Sequence, residues 1–249
     1  MKSDTSHNEG IIRPVKGKSE PCLGTDALMV MIPSELTYLV RYLSAEEIVF
    51  NNNSLFSLYG VRDSRNRPLA LAGPFFGAPH AVAGMEKLIA LGARRIWAFG
   101  WCGSLQPDIK TGHLIIPTGA ISEEGTSRHY PIGQESPETD KRLNNLIEAE
   151  LSAQGLSYRR GPVWTTDAIY RETPDKVRSY RKKGVLAVEM EIAALITVAL
   201  YRSVALAALL VVSDELHDLR WRPGFSNPRL KKNSHSAGRT LLNIACGMS

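Results

Sequence analysis

The chain has few of the residues that build disulfide frameworks and metal sites. Its 249 residues include three cysteines, Cys22, Cys102 and Cys246, which lie far apart and form no Cys-x-x-Cys pair. The six histidines show no paired spacing such as His-Glu-x-x-His. Because disulfide scaffolds use paired cysteines and zinc sites use closely spaced ligands, we expect reduced thiols and no bound metal.

Long apolar runs and a secretory leader are also missing. A membrane span needs roughly 20 uninterrupted apolar residues. The most apolar stretch, residues 185–212, is broken by Glu189, Glu191, Tyr201 and Arg202. Residues 1–20 are polar and have no apolar core followed by a small-residue cleavage site. We therefore expect no membrane interaction and a cytoplasmic location.

The charge balance is basic but scattered. The formal net charge is +5, and the basic residues occur in small groups rather than in one stripe with interleaved aromatics. A nucleic-acid interface typically needs such a stripe, so we expect no nucleic-acid partner. Hydrophobic residues make up 43% and charged residues 22%, which is ordinary for a globular chain of this length.

The order of apolar runs predicts an α/β domain. Residues 1–26 are rich in proline, glycine and charge and are predicted to form an N-terminal arm, followed by a single domain at residues 27–249. Predicted strands cover residues 27–32, 68–72, 95–99, 113–117, 158–164, 185–188 and 204–212. Predicted helices cover residues 35–48, 79–91, 138–154, 174–183, 189–201 and 228–246. This alternation predicts a mixed central β-sheet flanked by helices.

Two acidic sites flank the most apolar part of this domain. Asp214 follows the predicted strand at residues 204–212, and the triplet Glu189-Met190-Glu191 begins the preceding helix. Ligand crevices of open α/β sheets lie at the carboxyl ends of strands, which makes Asp214 the first catalytic candidate. The alternatives are a helix N-cap at Ser213-Asp214 and a solvated glutamate at Glu191.

Two glycine-rich segments follow predicted strands. They are Gly73-Pro-Phe-Phe-Gly77 and Gly100-Trp-Cys-Gly103-Ser104. Loops of this kind let backbone N–H groups approach an anion or a ligand. Neither matches a dinucleotide or P-loop fingerprint, so tight turns are the competing interpretation.

The order of these motifs resembles the nucleoside phosphorylase family, including its purine and uridine phosphorylases and the related methylthioadenosine nucleosidases. The resemblance covers about residues 27–218. It rests on Gly73–Gly77, Gly100-x-x-Gly103-x-x-Gln-Pro, Gly125-Thr-Ser127, Thr166-Asp167-x-x-Tyr170, Val188-Glu-Met-Glu191 and Val212-Ser-Asp214. It implies cleavage of the N-ribosidic bond of a nucleoside, no organic cofactor, phosphate as a possible co-substrate, and a homo-oligomer, either dimer or hexamer.

The resemblance also implies roles for single residues. Met190 and Glu191, beside Glu189, hold the ribose, and the helix dipole is expected to keep Glu191 ionised. Asp214, next to Ser213, protonates a departing purine at N7. Gly103, Ile169 and Tyr170 line the substrate pocket. Residues that read uracil in the uridine branch are replaced here by Thr173 and Asp175, so a purine-type nucleoside is favoured over uridine.

The nucleophile pocket departs from the family pattern. Gly77, Gly100, Trp101 and Cys102 are predicted to form its walls. Ile32-Pro-Ser-Glu35 stands where the family has a Gly-Asp-Pro loop and a following arginine. Ala98 replaces a second arginine of the family, and Trp101 replaces a serine or threonine. A phosphate needs such donors to offset its desolvation.

Three interpretations of this pocket stay open. In a phosphorylase, basic residues of the arm (Arg13, Lys16, Lys18) or the group Arg62, Arg65 and Arg67 supply the missing charge, from the same chain or from a partner subunit. In a hydrolytic nucleosidase, Glu35 activates water as a general base, although Glu35 also fits an ordinary acidic first turn of a helix. In a non-catalytic protein, the nucleoside is bound and not cleaved. Trp221 and Phe225 are predicted to pack under the last helix, with a lid over the base as the alternative.

Overall fold

The computed structural model describes residues 10–50, 55–62, 68–133 and 137–247. Within these ranges one ten-stranded sheet is flanked by six α-helices, which confirms the predicted fold class. The strands, β1 to β10 in chain order, are Asp26–Val30, Glu46–Glu47, Ser57–Arg62, Pro68–Gly73, Arg95–Ser104, Leu114–Glu123, Tyr158–Thr166, Ala187–Glu189, Ala205–Glu215 and Arg222–Pro223. The helices, α1 to α6, are Pro33–Leu43, Ala78–Ala90, Lys141–Ala153, Pro174–Lys182, Ile192–Tyr201 and Pro228–Cys246.

The sheet collects several strand ends at one edge. Its order is β10-β9-β6-β7-β8-β5-β1-β4-β3-β2, and β9 also pairs with β5, so that β5, β8, β7, β6 and β9 close into a ring. Strands β4, β1, β5 and β9 run parallel to one another. Their carboxyl ends therefore lie along the same edge, where an α/β sheet forms its ligand crevice.

The core lies on both faces of the sheet. In β5, Ile96 and Ala98 pack into the layer that contains α2 and α5. The alternate residues Trp97 and Phe99 pack into the layer that contains α1, α3 and α6. This alternation follows from the two-residue period of a strand, with both faces covered by helices. None of the helices in the described ranges is long and apolar enough to span a membrane.

Several strands are longer than their sequence patterns predict. Strand β5 continues to Ser104, so the predicted loop at residues 100–104 is wrong, and Gly100, Trp101 and Cys102 are strand residues paired with β9. Strand β6 likewise continues to Glu123. Glycine and proline within these segments indicate the end of a strand when only the local sequence is considered. The backbone hydrogen bonds of the long parallel pairing outweigh this local preference.

Other errors concern short or capped elements. The strands at residues 46–47 and 57–62 were not predicted. Strand β2 has only two residues, and β3 contains Gly60 and polar residues, which weaken the apolar pattern of a strand. Helix α1 ends at Leu43 rather than residue 48, because Ser44 adopts a left-handed conformation with φ 49°. Helix α3 begins after Asp140, whose side chain accepts a hydrogen bond from the Leu143 N–H at 2.9 Å.

The described part of the arm, residues 10–25, packs along α2. Lys87 Nζ lies 2.6 Å from Glu20 Oε2 and donates to the Val15 carbonyl at 2.9 Å. The two side chains keep only 9% and 1% of their surface exposed. Residues 1–9 of the predicted arm lie outside the described ranges.

Neutralising Glu20 will destabilise the fold, because it leaves the Lys87 ammonium buried without its charged partner. We expect Glu20→Gln to lower the free energy of unfolding by about 3 kcal/mol. The exposed pair of Arg159 and Asp108 provides a matched control, and Asp108→Asn will cost less than about 1 kcal/mol. Urea denaturation measures both. A double variant that adds Lys87→Met will recover most of the loss, and equal losses for Glu20→Gln and Asp108→Asn would contradict the prediction.

Candidate active site

A cavity of about 660 Å³ lies at the carboxyl ends of β5, β8 and β9. It brings together most of the residues that the sequence singled out: Trp101, Cys102, Gly103, Ile169, Tyr170, Glu189, Met190, Glu191, Ser213 and Asp214. Gly77, Gly100 and Glu35 do not line it. Its size fits a nucleoside-sized ligand.

Asp214 is held by two hydrogen bonds at the end of β9. The Ser213 hydroxyl donates to Oδ1 at 2.6 Å, and the Trp221 indole N–H donates to Oδ2 at 3.0 Å. Burial raises the pKa of Asp214, and these two donors oppose the rise. The helix N-cap interpretation is wrong, since Asp214 lies within a strand and the next helix, α6, is capped by Asn227.

Gly103 makes room for this carboxylate. A β-carbon at Gly103 would lie 2.5 Å from Leu216 Cδ1 and 3.1 Å from Asp214 Oδ2. The pairing of β5 with β9 shifts by one residue between Cys102 and Gly103, which places Gly103 opposite Asp214. The register shift and the absence of a side chain at Gly103 together place the Asp214 carboxylate at the cavity wall.

Glu189 is engaged mainly with the protein. It ends β8, and its Oε2 accepts hydrogen bonds from the Glu191 and Ile192 N–H groups at 2.6 and 2.7 Å. The Thr165 hydroxyl donates to its Oε1. The carboxylate thus caps α5 from outside the helix, and the helix begins at Ile192 rather than at the predicted residue 189.

Glu191 is buried at the N-cap position of α5, with 8% of its surface exposed. Its Oε1 accepts a hydrogen bond from the Gly77 N–H at 2.6 Å. Burial raises the pKa of Glu191, and the neighbouring Glu189 carboxyl raises it further. The expectation that the helix dipole keeps Glu191 ionised is therefore wrong in direction, because desolvation outweighs the dipole. The solvated-glutamate interpretation is wrong as well.

The glycine turn at residues 73–77 uses its amides internally. The Phe75 N–H donates to the Val30 carbonyl at 3.2 Å, the Phe76 N–H to His80 Nδ1 at 3.2 Å, and the Gly77 N–H to Glu191. Gly77 adopts φ 78°, which favours glycine. These three amides therefore already have protein acceptors and are not free donors for an anion.

The cavity is acidic. The ionisable side chains in its lining are Glu172, Glu189, Glu191, Asp214, the thiol of Cys102, the phenol of Tyr170 and the cation Arg220. Burial raises the pKa of Cys102 well above its ordinary value, with Asp214 and Glu189 adding to the rise, so the thiol stays protonated. Glu172 was missed by the sequence analysis. It directly precedes Thr173, which the sequence comparison aligned with a residue that recognises uracil. Moving that alignment by one position would have identified Glu172.

Aromatic side chains cover the cavity. Trp221 and Phe225 line it with 63% and 54% of their surface exposed, so the prediction that they pack under α6 is wrong and the lid interpretation fits. Phe225 stacks on Trp101 with ring centroids 6.1 Å apart, and Trp101 donates to Ser234 Oγ at 2.8 Å. Phe76 and Tyr170 are exposed at the rim.

Glu35 lies in the first turn of α1 and is 3% exposed. Its Oε2 is buried and has no hydrogen-bond partner within the described residues. Burial raises the pKa of Glu35 to about 7, and Lys231 opposes the rise. The arm residues Arg13, Lys16 and Lys18 do not line the cavity of their own chain either.

A family model described as the phosphorylase superfamily matches residues 26–244. The chain belongs to the phosphorylase superfamily. Its curated relatives include a DeoD-type purine nucleoside phosphorylase of Caldanaerobacter subterraneus subsp. tengcongensis, 28% identical over 203 residues, which are 80% of this chain and 87% of that protein. A guanosine phosphorylase of Halorubrum lacusprofundi is 29% identical over 222 residues, covering 87% and 90%.

Solved structures of this superfamily share the fold. A uridine phosphorylase from Vibrio fischeri has a TM-score of 0.80 at 23% identity, over 90% of this chain and 93% of that one. A purine nucleoside phosphorylase from Toxoplasma gondii in complex with immucillin-H has a TM-score of 0.79 at 19% identity, covering 90% and 91%. At these identities the likeness shows the fold alone.

Removing the Glu35 carboxyl will change how stability depends on pH. The folded chain keeps the Glu35 proton up to about pH 7, whereas the unfolded chain releases it near pH 4.5. Stability therefore falls as pH rises from 4.5 to 7, by up to about 3 kcal/mol. Glutamine does not ionise, so Glu35→Gln will be more stable than wild type at pH 8.

Thermal melts of both proteins at pH 4.5 and pH 8 measure this effect. At pH 4.5 the two proteins will differ little, because Glu35 is protonated in the folded wild type. A stability difference of the same size at both pH values would show that ionisation of Glu35 is not its cause.

Proposed function

We propose that this protein cleaves the N-ribosidic bond of a purine-type nucleoside. One observation carries the proposal. Met190 and Glu191, which match the ribose-holding residues of the family, line the same cavity as Asp214, which matches its acid toward the base. A nucleoside spanning the cavity contacts both groups at once.

The chemistry follows from these positions. The C1′–N bond breaks and its electron pair leaves with the base. Protonated Asp214 transfers its proton to N7, so that the base departs as a neutral molecule. An incoming oxygen, from water or phosphate, forms the new bond to C1′. When water attacks, it releases a proton to solvent, and Asp214 regains one from solvent before the next turnover.

Glu191 supports this step from the ribose side. Positive charge develops on the ribose ring as the bond breaks, and a nearby carboxylate stabilises it. Burial opposes ionisation of Glu191, but hydrogen bonds donated by the 2′- and 3′-hydroxyls favour the ionised form. Bound substrate therefore adds hydrogen-bond donors to the Gly77 N–H that Glu191 already accepts.

A purine base is supported by three observations. Burial raises the pKa of Asp214, which suits a proton donor to N7. Asp175, at a position that reads uracil in the uridine branch, has a side chain that is 94% exposed and paired with Arg178. Curated relatives covering most of the chain are named as purine nucleoside and guanosine phosphorylases.

Water is the nucleophile that the cavity favours, which makes hydrolysis the second candidate function. Among the residues that the structure describes, Arg220 is the single Lys or Arg side chain in the lining, against four carboxyl groups. Met31, Ile32, Phe75 and Phe76 add apolar surface, and the amides of residues 75–77 are occupied. A phosphate dianion finds few donors there and pays a full desolvation cost.

Phosphorolysis instead requires cations from outside this chain's cavity. We propose a homo-oligomer, dimer or hexamer, in keeping with the family. In such an assembly the exposed arm residues Arg13, Lys16 and Lys18 of a neighbouring copy are the candidates for that charge. Glu35, the proposed general base for water, does not line the cavity and needs a water-filled connection to it.

Replacing either key carboxyl will slow base release. We expect Asp214→Asn to lower kcat/KM for a purine nucleoside by about 10²- to 10⁴-fold, because asparagine cannot protonate N7. Glu191→Gln will lower it by about 10²-fold through weaker charge stabilisation. Asp108→Asn, at an exposed residue outside the cavity lining, is the matched control and will retain full activity. Unchanged release of free base by both cavity variants would refute the assigned roles.

The nucleophile is identified from the sugar product. Purified protein is incubated with guanosine, inosine and adenosine, with and without phosphate, and the sugar is analysed by chromatography. Hydrolysis gives free ribose at an undiminished rate without phosphate. Phosphate-dependent ribose 1-phosphate would overturn the water proposal and retain the cleavage. Tight binding without turnover across the panel would overturn the cleavage and leave a nucleoside-binding protein.

A further inference from the structure

A second cavity, separate from the one that contains Asp214, lies between the start of β6 and the start of α6. Its volume is about 490 Å³, which is in the range of small-molecule sites. The polar side chains in its lining are those of His113, Ser157, Arg229, Lys232 and Asn233. Among the residues that the structure places, no carboxyl side chain lines it. This cavity is therefore basic, whereas the cavity around Asp214 is acidic.

The two cations of this cavity have no acidic partner within the described ranges. Arg229 and Lys232 are exposed and lie three residues apart on α6, and neither forms an ion pair with a described residue. Lys110, which neighbours His113, is neutralised by contrast, since its ammonium lies 3.1 Å from Glu215 Oε2. Unpaired cations that converge on a concave surface attract an anion from outside the chain.

His113 lies in the positive field of these cations. Burial lowers the pKa of His113, and the charges of Arg229 and Lys110 add to the fall, while Glu215 opposes it. His113 Nδ1 accepts a hydrogen bond from the Lys110 backbone N–H at 3.1 Å. The neutral ring therefore carries its proton on Nε2, which is a hydrogen-bond donor.

The Arg229 side chain is held against the backbone of Gly112. A β-carbon at Gly112 would lie 2.7 Å from Arg229 Cγ and 3.2 Å from Cδ, so the absence of a side chain at Gly112 makes room for the arginine stem. Asn233 Nδ2 donates to the Gly112 carbonyl at 2.7 Å and ties α6 to the same residue. A guanidinium on a packed stem loses less conformational entropy when it binds a ligand.

Backbone amides around this cavity are already engaged. Asn227 caps α6: its Oδ1 accepts the Arg229 N–H at 2.9 Å, and its carbonyl accepts the Leu230 N–H at 3.0 Å. At the end of α3, the N–H groups of Gly155 and Leu156 donate to carbonyls of that helix at 3.0 and 2.9 Å. The side chains, rather than the end of a helix, therefore supply the donors of this cavity.

We propose that this cavity binds a phosphate group, either as the free ion or as part of a small organic molecule. The Arg229 guanidinium matches two phosphate oxygens at once, and the Lys232 ammonium adds a second positive charge. His113 Nε2 and the Ser157 hydroxyl supply further donors. Binding here requires no cleavage of a nucleoside, so it is independent of the proposed function.

The rest of the lining suits an organic group attached to the phosphate. Leu114, Leu156 and Pro228 add apolar surface to the cavity. Burying apolar surface of a ligand against these side chains adds to the affinity that the cations provide. A phosphorylated molecule is then expected to bind more tightly than the free ion.

Calorimetric titration of the whole chain with inorganic phosphate, glucose 6-phosphate and glucose tests the site. Wild type will bind the two phosphate compounds and will not bind glucose. Arg229→Gln keeps a stem on Gly112 and removes the charge, so it will lower both affinities by about tenfold or more. Adding Lys232→Gln will abolish binding. Lys231→Gln, which removes the same charge from an exposed neighbour outside the lining, is the matched control and will change neither affinity.

The outcomes also identify the source of the phosphate and its place. Tighter binding of glucose 6-phosphate supports a phosphorylated molecule as the ligand, and equal binding supports the free ion; the site stands in both cases. Arg220→Gln removes the described cation of the cavity around Asp214. Lost affinity in Arg220→Gln with none lost in Arg229→Gln would place the anion there and overturn the proposal. Equal losses in Lys231→Gln and Arg229→Gln, or no binding by wild type, would also overturn it.

Discussion

The buried carboxylate of Glu189 is the interaction on which the site depends. It joins the end of β8 to the start of α5 through the Glu191 and Ile192 amides, and it joins both to β7 through Thr165. Thr165 Oγ1 also accepts a hydrogen bond from the Ala193 N–H at 2.9 Å. Most helices use a residue of the preceding loop as a cap, whereas here a strand residue does so, and the helix starts directly at the cavity wall.

This arrangement fixes Glu191 and the glycine turn together. With Glu189 holding its backbone amide, Glu191 extends toward Gly77 and accepts the Gly77 N–H of the turn at residues 73–77. Two unlike segments, distant in sequence, therefore meet through one carboxylate. The cost is electrostatic: two acids are buried side by side, burial raises the pKa of both, and the Glu189 carboxyl raises the pKa of Glu191 further. A polar sugar that donates hydrogen bonds relieves this cost, and an anion at the same place increases it.

The sequence was sufficient to predict the fold class, most strands and helices, and the meeting of Met190, Glu191 and Asp214, because these depend on apolar periodicity and on motif order. The position of Glu172 in the cavity and the role of Glu189 were not predicted. Each depends on a contact made by the folded chain: a cavity shared with Asp214 in one case, and a cap formed from a neighbouring strand in the other. The extension of β5 through Gly100 to Ser104 was missed because the glycines of this segment indicate a loop. The strand is formed by pairing with β9, which lies about a hundred residues away in sequence and leaves no local signal.

The glycines of the site illustrate why a motif alone does not define a nucleophile. A glycine turn at a strand end suggests free amides for an anion, yet residues 75–77 give their N–H groups to Val30, His80 and Glu191. Gly103 is required for a different reason, since a side chain there would collide with Leu216 and crowd Asp214. In both places glycine allows protein groups to approach one another, and the chemistry is carried by the carboxyl groups that this close approach positions. The motif order that identifies the family is thus compatible with a pocket whose described lining holds four carboxyl groups and the cation Arg220.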